Sequence, residues 1–200
     1  LRDKAIKEYF NEKAAIWDET AAEKDTTKLE EMARRLAIEP GSCVLDVGTG
    51  TGVFVPFLLS RIGGNGRLVC LDFAEEMLNQ AKAKGFAGKI EYLCADISRT
   101  RLDDETFDTV VCYSSFPHFQ DKLRVLSEIN RLLKKGGRLF ICHTSSRLMI
   151  NEVHHQIPEV ENDLIPDEDE MRQLLTAAGF DEISIGDGGD NYLASATKPG

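Results

Sequence analysis

Two hundred residues with 42% hydrophobic and 29% charged content suit one folded domain with a sizeable core, not a disordered chain. A net charge of −10 argues against nucleic acid as a partner, because phosphate neutralisation calls for a basic face. No apolar run approaches the roughly 20 residues that span a bilayer, and the charged start LRDKAIKEYFNEK has no secretory core; a soluble, cytoplasmic chain without a membrane partner is expected.

In chain order, residues 3–14 and 25–38 read as two amphipathic helices ahead of the first strand. Five short apolar runs follow, Cys43–Val47, Leu68–Leu71, Ile90–Cys94, Phe107–Cys112 and Leu139–Cys142. Their near-continuous apolar character predicts parallel strands with helices on both faces. Helical patterns separate them at 52–62, 75–84 and 121–134, the last stopping at Gly136–Gly137. Residues 143–166 are irregular, with Arg147–Ile157 as a candidate helix, and a connection that long is expected to serve a function. Asp167–Ala178 is the final helix, and Glu182–Ile185 and Tyr192–Thr197 flank the turn GDGGDN, which makes them an antiparallel pair. The five cysteines, Cys43, Cys70, Cys94, Cys112 and Cys142, fall one to each apolar run without CxxC spacing. They read as reduced strand thiols, with a soft-metal or reactive role held open for Cys112 and Cys142.

The chemistry concentrates at Val44-Leu45-Asp46-Val47-Gly48-Thr49-Gly50-Thr51-Gly52, a strand entering a glycine loop and then a helix. Glycines there permit tight turning and close approach of a ligand. The spacing is G-x-G-x-G, with Val53 where the dinucleotide fingerprint wants a small residue. Asp46 precedes the loop, Asp72 ends the second strand, and Asp96 follows the third. Singly, each acid reads equally as a cap or turn residue; together they mark the carboxyl edge of an open α/β sheet, where ligands bind.

These residues resemble the class I S-adenosylmethionine-dependent methyltransferases of the small-molecule type, from about residue 30 onward. VLDVGTGTG resembles that family's glycine motif, and CLDFAEEML, CADI, FDTVVCYSSFPHF and LLKKGGRLFICH follow in matching order. The resemblance implies a doubly wound, Rossmann-like seven-stranded α/β sheet, mostly parallel and closed by an antiparallel pair. It implies that Gly48, Thr49, Gly50 and Gly52 line the methionine part of S-adenosylmethionine, with Asp46 near the ammonium. Asp72 would bind the ribose, Asp96 and the Ile97 N–H the adenine, Phe73 would pack on the adenine, and the Cys112 carbonyl would lie near the methionine. The whole of 1–200 is expected to be one domain, with 1–38 a helical lid carrying Tyr9, Phe10 and Trp17, and 143–166 an insertion over the active site.

All four histidines, His118, His143, His154 and His155, fall on the predicted ligand edge. Three readings stand side by side: structural side chains, a general base acting on an acceptor hydroxyl or thiol, or a divalent metal site drawn from His143, His154 and His155 with Glu152, Glu159 or Glu161. On a helix His154 and His155 point about 100° apart, so both need not serve one site. Asn-Pro-Pro-Tyr, the loop of amino-group methylation in nucleic acids and some proteins, is absent after the fourth strand, which favours a small-molecule acceptor. A nicotinamide-dependent oxidoreductase and a non-catalytic S-adenosylmethionine-binding protein are the alternatives.

Overall fold

The computed structural model describes residues 2–200, and side chains from Lys4 onward. Its centre is a seven-stranded sheet of order β3-β2-β1-β4-β5-β7-β6, formed by β1 (Cys43–Val47), β2 (Arg67–Asp72), β3 (Ile90–Cys94), β4 (Phe107–Tyr113), β5 (Leu133–His143), β6 (Asp181–Gly188) and β7 (Asn191–Thr197). The first five strands are parallel, and β7 runs antiparallel between β5 and β6. The doubly wound, Rossmann-like sheet with its antiparallel closing pair is therefore as the sequence implies. Cys112 and Cys142 are buried and burial holds both thiols well above their ordinary range, so neither is a ready nucleophile.

Alternation along the strands sends two apolar surfaces to opposite faces. Leu45, Val47, Val69, Leu71, Val110 and Cys112 face one core, while Val44, Leu68, Cys70, Val111 and Phe140 face the other. The first core is closed by α6 (Lys122–Leu132) and α8 (Glu168–Ala177), the second by α3 (Thr26–Arg35) and α4 (Val55–Ile62). Asp25, Asp121 and Asp167 cap α3, α6 and α8 by accepting backbone N–H bonds, each of the kind that adds about 1 kcal/mol to a helix. Edge strand β3 is only partly covered.

Two boundaries differ from the sequence expectation. The helix expected to run to residue 134 ends at Leu132, because Leu133 turns extended and pairs with Phe107. Gly136 and Gly137 thus lie within the irregular start of β5, where the register against β4 shifts. The helix expected from 52 begins at Val55, since Gly52 through Phe54 complete the turn out of the glycine loop. Ahead of the sheet lie α1 (Arg2–Lys13) and the short α2 (Trp17–Thr20); α5 (Glu75–Ala83) follows β2, and α7 (Arg147–His155) follows β5. Among the described residues no helix is long and apolar enough to cross a membrane.

Candidate active site

The strand order reverses between β1 and β4, and the crevice beyond their carboxyl ends is where an open α/β sheet binds ligands. A cavity of about 570 Å³ opens there. Its floor is the glycine loop. Gly48 sits at φ +74°, and a methyl added to it would lie 2.3 Å from the Ser115 Cβ. Only glycine lets the loop after β4 close onto the loop after β1, a contact sealed by Ser115 Oγ donating to the Val47 carbonyl at 2.6 Å. Gly50 is also left-handed, at φ +57°, but a methyl there would meet open space.

Four of the loop's amides are already engaged. Gly48 and Thr49 N–H donate to the Leu71 carbonyl, Gly52 N–H to that of Thr49, and Gly50 N–H to Asp72 Oδ2 at 2.8 Å. Asp72 Oδ1 accepts from Ala74 N–H at 2.8 Å. Burial raises the Asp72 carboxyl to about 6 even though the Ala74 and Gly50 amides and the His118 charge pull it down. The Phe73 N–H also bonds this carboxylate, which lines the cavity with acceptor capacity left over.

Gly48, Thr49, Gly50, Asp72, Phe73, Asp96 and Ile97 all line the cavity, as do His118, His143 and His154. Three residues from the sequence reading fall elsewhere, as does the side chain of Cys112, whose expected contribution was its carbonyl. Asp46 lies behind the loop, accepting from Thr49 Oγ1 at 2.9 Å, with burial and the nearby Asp72 charge raising it to about 7 against that bond. Gly52 faces α5 and Phe86, whose ring would stand 2.9 Å from an added methyl. Cys112 is enclosed within the core, one residue short of Tyr113, which reaches the cavity. His155 is exposed at the end of α7, on a different side of the helix from His154. Asp96 lines the cavity but is largely occupied as a cap, accepting from Ser98 N–H, Ser98 Oγ and Arg99 Nε. Burial raises its pKa, but these bonds outweigh that and hold it below the usual range.

The opposite wall is built by remote pieces of chain. Phe10 meets Trp17, Phe73 and His118 edge-on, with ring centroids 5.5, 6.1 and 4.9 Å apart, so Tyr9, Phe10 and Trp17 line the cavity against residues that end β2 and follow β4. Met149, Ile150 and Val153 come from α7. Asn151 ties that helix to the following segment by exchanging two hydrogen bonds with the Ile165 backbone. The tie helps set the place of Asp163, a buried residue the sequence did not single out. Asp163 Oδ2 lies 3.0 Å from His118 Nδ1, its Oδ1 accepts from Gln120, and its carbonyl meets His154 Nδ1. The His118 and His154 rings lie 5.0 Å apart.

His143 is 4% exposed and its Nε2 has no hydrogen-bond partner. Burial, reinforced by His118 and His154, lowers it to about 3, so it stays neutral. The metal expectation is not supported: among the described residues no group of three or more His, Cys, Asp and Glu is arranged to hold an ion. His155 turns outward, and the Nδ1 atoms of His118 and His154 are committed to Asp163.

Residues 45–141 match the family model described as a methyltransferase domain. An Aquifex aeolicus SAM-dependent methyltransferase of known structure superposes with a TM-score of 0.73 at 25% identity, over 94% of this chain and 97% of that one. The chain carries a class I S-adenosylmethionine-dependent methyltransferase domain. A chain from the Haloferax volcanii complex of the Trm112 methyltransferase activator with a methyltransferase shares the fold, with a TM-score of 0.78 at 22% identity over 96% of this chain and 98% of that one. Demethylmenaquinone methyltransferase from Bacillus cereus (strain B4264) is 34% identical over 124 residues, 60% of this chain and 52% of that protein. The methyltransferase domain described here thus spans about half the length of such curated relatives.

Proposed function

We propose that this methyltransferase domain transfers a methyl group from S-adenosylmethionine to a small-molecule acceptor held in the same cavity. The observation that carries the reading is the cavity at the β1–β4 reversal, with the glycine loop and Asp72 on one side and three histidines on the other. When bound, S-adenosylmethionine supplies a methyl on a sulfonium, and its positive sulfonium and ammonium suit a cavity lined by Glu23, Asp72, Asp96 and Asp121. Gly48, Thr49 and Gly50 would bed its methionine part, the remaining acceptor capacity of Asp72 would take a ribose hydroxyl, and the Asp96-capped turn would offer the Ile97 N–H to the adenine beside Phe73. Asp46 would act from behind, by holding Thr49. Of the expected lid 1–38, the part from Tyr9 to Glu23 would serve over the cavity, since α3 belongs to the core, and 143–166 would be the cover over the acceptor.

Two further points support the small acceptor and the donor class. The Bacillus cereus relative is named for demethylmenaquinone, a small-molecule substrate. A nicotinamide dinucleotide would need free loop N–H groups for its pyrophosphate, whereas those of Gly48, Thr49, Gly50 and Gly52 are spent within the protein. Calorimetric titration with S-adenosylmethionine, S-adenosylhomocysteine and both nicotinamide dinucleotides tests the reading. Binding of the sulfur nucleosides alone is expected; dinucleotide binding in their place would overturn it. Sulfur-nucleoside binding with no turnover over a broad acceptor panel would leave a binding protein without catalysis.

A further inference from the structure

Asp163 faces two histidines with acceptors only. A carboxylate oxygen meets His118 Nδ1 and a backbone carbonyl meets His154 Nδ1. Neither acceptor can supply a proton, so each ring holds a proton on Nδ1, and in the neutral form its Nε2 is the lone pair. His118 has the stronger partner, because a charge beside Nδ1 steadies the imidazolium that forms when Nε2 takes a proton. Its ring is further fixed by the edge of Phe10 on one side and by His154 on the other. Nearby, the buried Nε2 of His143 also lacks a partner.

The rest of the wall says what would be admitted. Tyr9, Phe10, Phe119, Met149, Ile150 and Val153 make it apolar and partly aromatic. Among the described residues that line the cavity there is no Lys or Arg, while four carboxylates are present. An anionic acceptor would find repulsion and no Lys or Arg counter-ion from the protein.

We propose that the acceptor is an uncharged, mainly apolar molecule bearing a phenol-type hydroxyl, and that His118, positioned by Asp163, takes the proton of that hydroxyl. This rests on the methyl-transfer reading above. The bond formed is from the acceptor oxygen to the methyl carbon, and the bond broken joins that carbon to the sulfonium sulfur, which leaves as a thioether. The proton passes to His118 Nε2 and then to solvent, so one proton is released per turnover. Asp163 touches neither reactant; it is a positioning residue.

The test uses the full chain loaded with S-adenosylhomocysteine and three probes of one shape: p-cresol, its methyl ether and p-toluate. One hydrogen bond to His118 should make p-cresol bind about tenfold tighter than the ether, and p-toluate should bind more weakly than p-cresol. His118→Asn should bring p-cresol and the ether to parity. In case that variant fails to fold, nitrogen-15 NMR of the histidines in the parent should show His118 protonated at Nδ1 alone, and Asp163→Asn should give mixed tautomers, since an amide can donate as well as accept. Equal binding of p-cresol and ether by the parent, preference for p-toluate, or His118 protonated at Nε2 would each overturn the proposal. Failure of S-adenosylhomocysteine to bind would instead strike the methyl-transfer reading, and the p-cresol and ether comparison would still be read on the unloaded protein.

Discussion

The two walls of the cavity are held by different kinds of bond. On the glycine-loop side, Gly48–Gly50, Asp72 and Asp96 each stand at the end of a neighbouring parallel strand and are fixed by backbone amides and carbonyls. On the histidine side, residues 118, 154 and 163 come from three stretches of chain and meet through side chains and one backbone carbonyl, with His143 at the end of β5 beside them in the cavity lining. A wall made by strand ends inherits the stiffness of the sheet. A wall made by side chains from α1, α7 and the 156–166 segment is free to loosen without unfolding the sheet.

The largest effect should come from the stiff wall. Gly48→Ala must pay for a left-handed φ, about 1–2 kcal/mol, and for overpacking against Ser115, about 1–3 kcal/mol. Denaturant unfolding should show the sum as lost global stability. A change below about 1 kcal/mol would mean that the Ser115 contact is not what demands glycine. Gly50→Ala, facing open space, should cost less and serves as the control.

Next is Asp72→Ala, which on the proposed reading removes charge-assisted hydrogen bonds of about 1.5–3 kcal/mol from donor binding. Calorimetry should register that as an affinity for S-adenosylmethionine lower by about one to two decades. Unchanged affinity would remove the ribose role from Asp72.

On the flexible wall, Asn151→Ala deletes both bonds to the Ile165 backbone, at about 0.5–1.5 kcal/mol each. Hydrogen exchange should rise in residues 156–166 while the strands keep their protection. Exchange that rises through the sheet as well would abolish the distinction between the two walls.

The finest effect is in pH dependence, where the walls should pull in opposite directions. Asp46 and Asp72, raised from an ordinary 3.8 to about 7 and about 6, favour the fold when protonated. Their contribution is whole below about pH 4 and is lost as pH rises through 6 and 7. His143, lowered from 6.5 to about 3, contributes fully above about pH 6.5 and loses that contribution as pH falls toward 3. In ligand-free protein, Asp46→Asn should flatten the decline in Tm between about pH 4 and 7 and leave the slope below about pH 4 alone. The same slope between about pH 4 and 7 in variant and parent would mean that Asp46 ionises at its ordinary pH.

The difference between the walls also explains what could be read from the chain before it was folded. The strands, the glycine loop and the closing hairpin are local patterns, and each has its own periodicity or turn chemistry. The lining by Gly48, Thr49, Gly50, Asp72, Phe73, Asp96 and Ile97 follows from where those strands end. The resemblance put Asp46 and Gly52 beside the donor, yet Asp46 lies behind the loop, since one residue along a strand reverses the side chain's direction. The Cys112 side chain points into the core, which leaves the expectation for its carbonyl untouched, and Gly52 is a packing glycine under Phe86. His154 and His155 were a pair in sequence, and the turn of α7 sends only the first to the cavity. Asp163 carried no local signal, being one acid in an acidic stretch, and it matters because it lies 3.0 Å from a residue 45 positions away.

The sequence alone determined the layered sheet, its order of elements and the glycine-loop wall, because hydrophobic periodicity, glycine conformation and strand ends act over a few neighbouring residues. Tertiary structure decided which histidines face the cavity, that Asp163 aligns two of them, and that Phe10 joins the N-terminal helix to the far wall. Those contacts depend on the packing angles of α1 and α7 against the sheet, and the residues at either end of each contact carry no local signal of their partner.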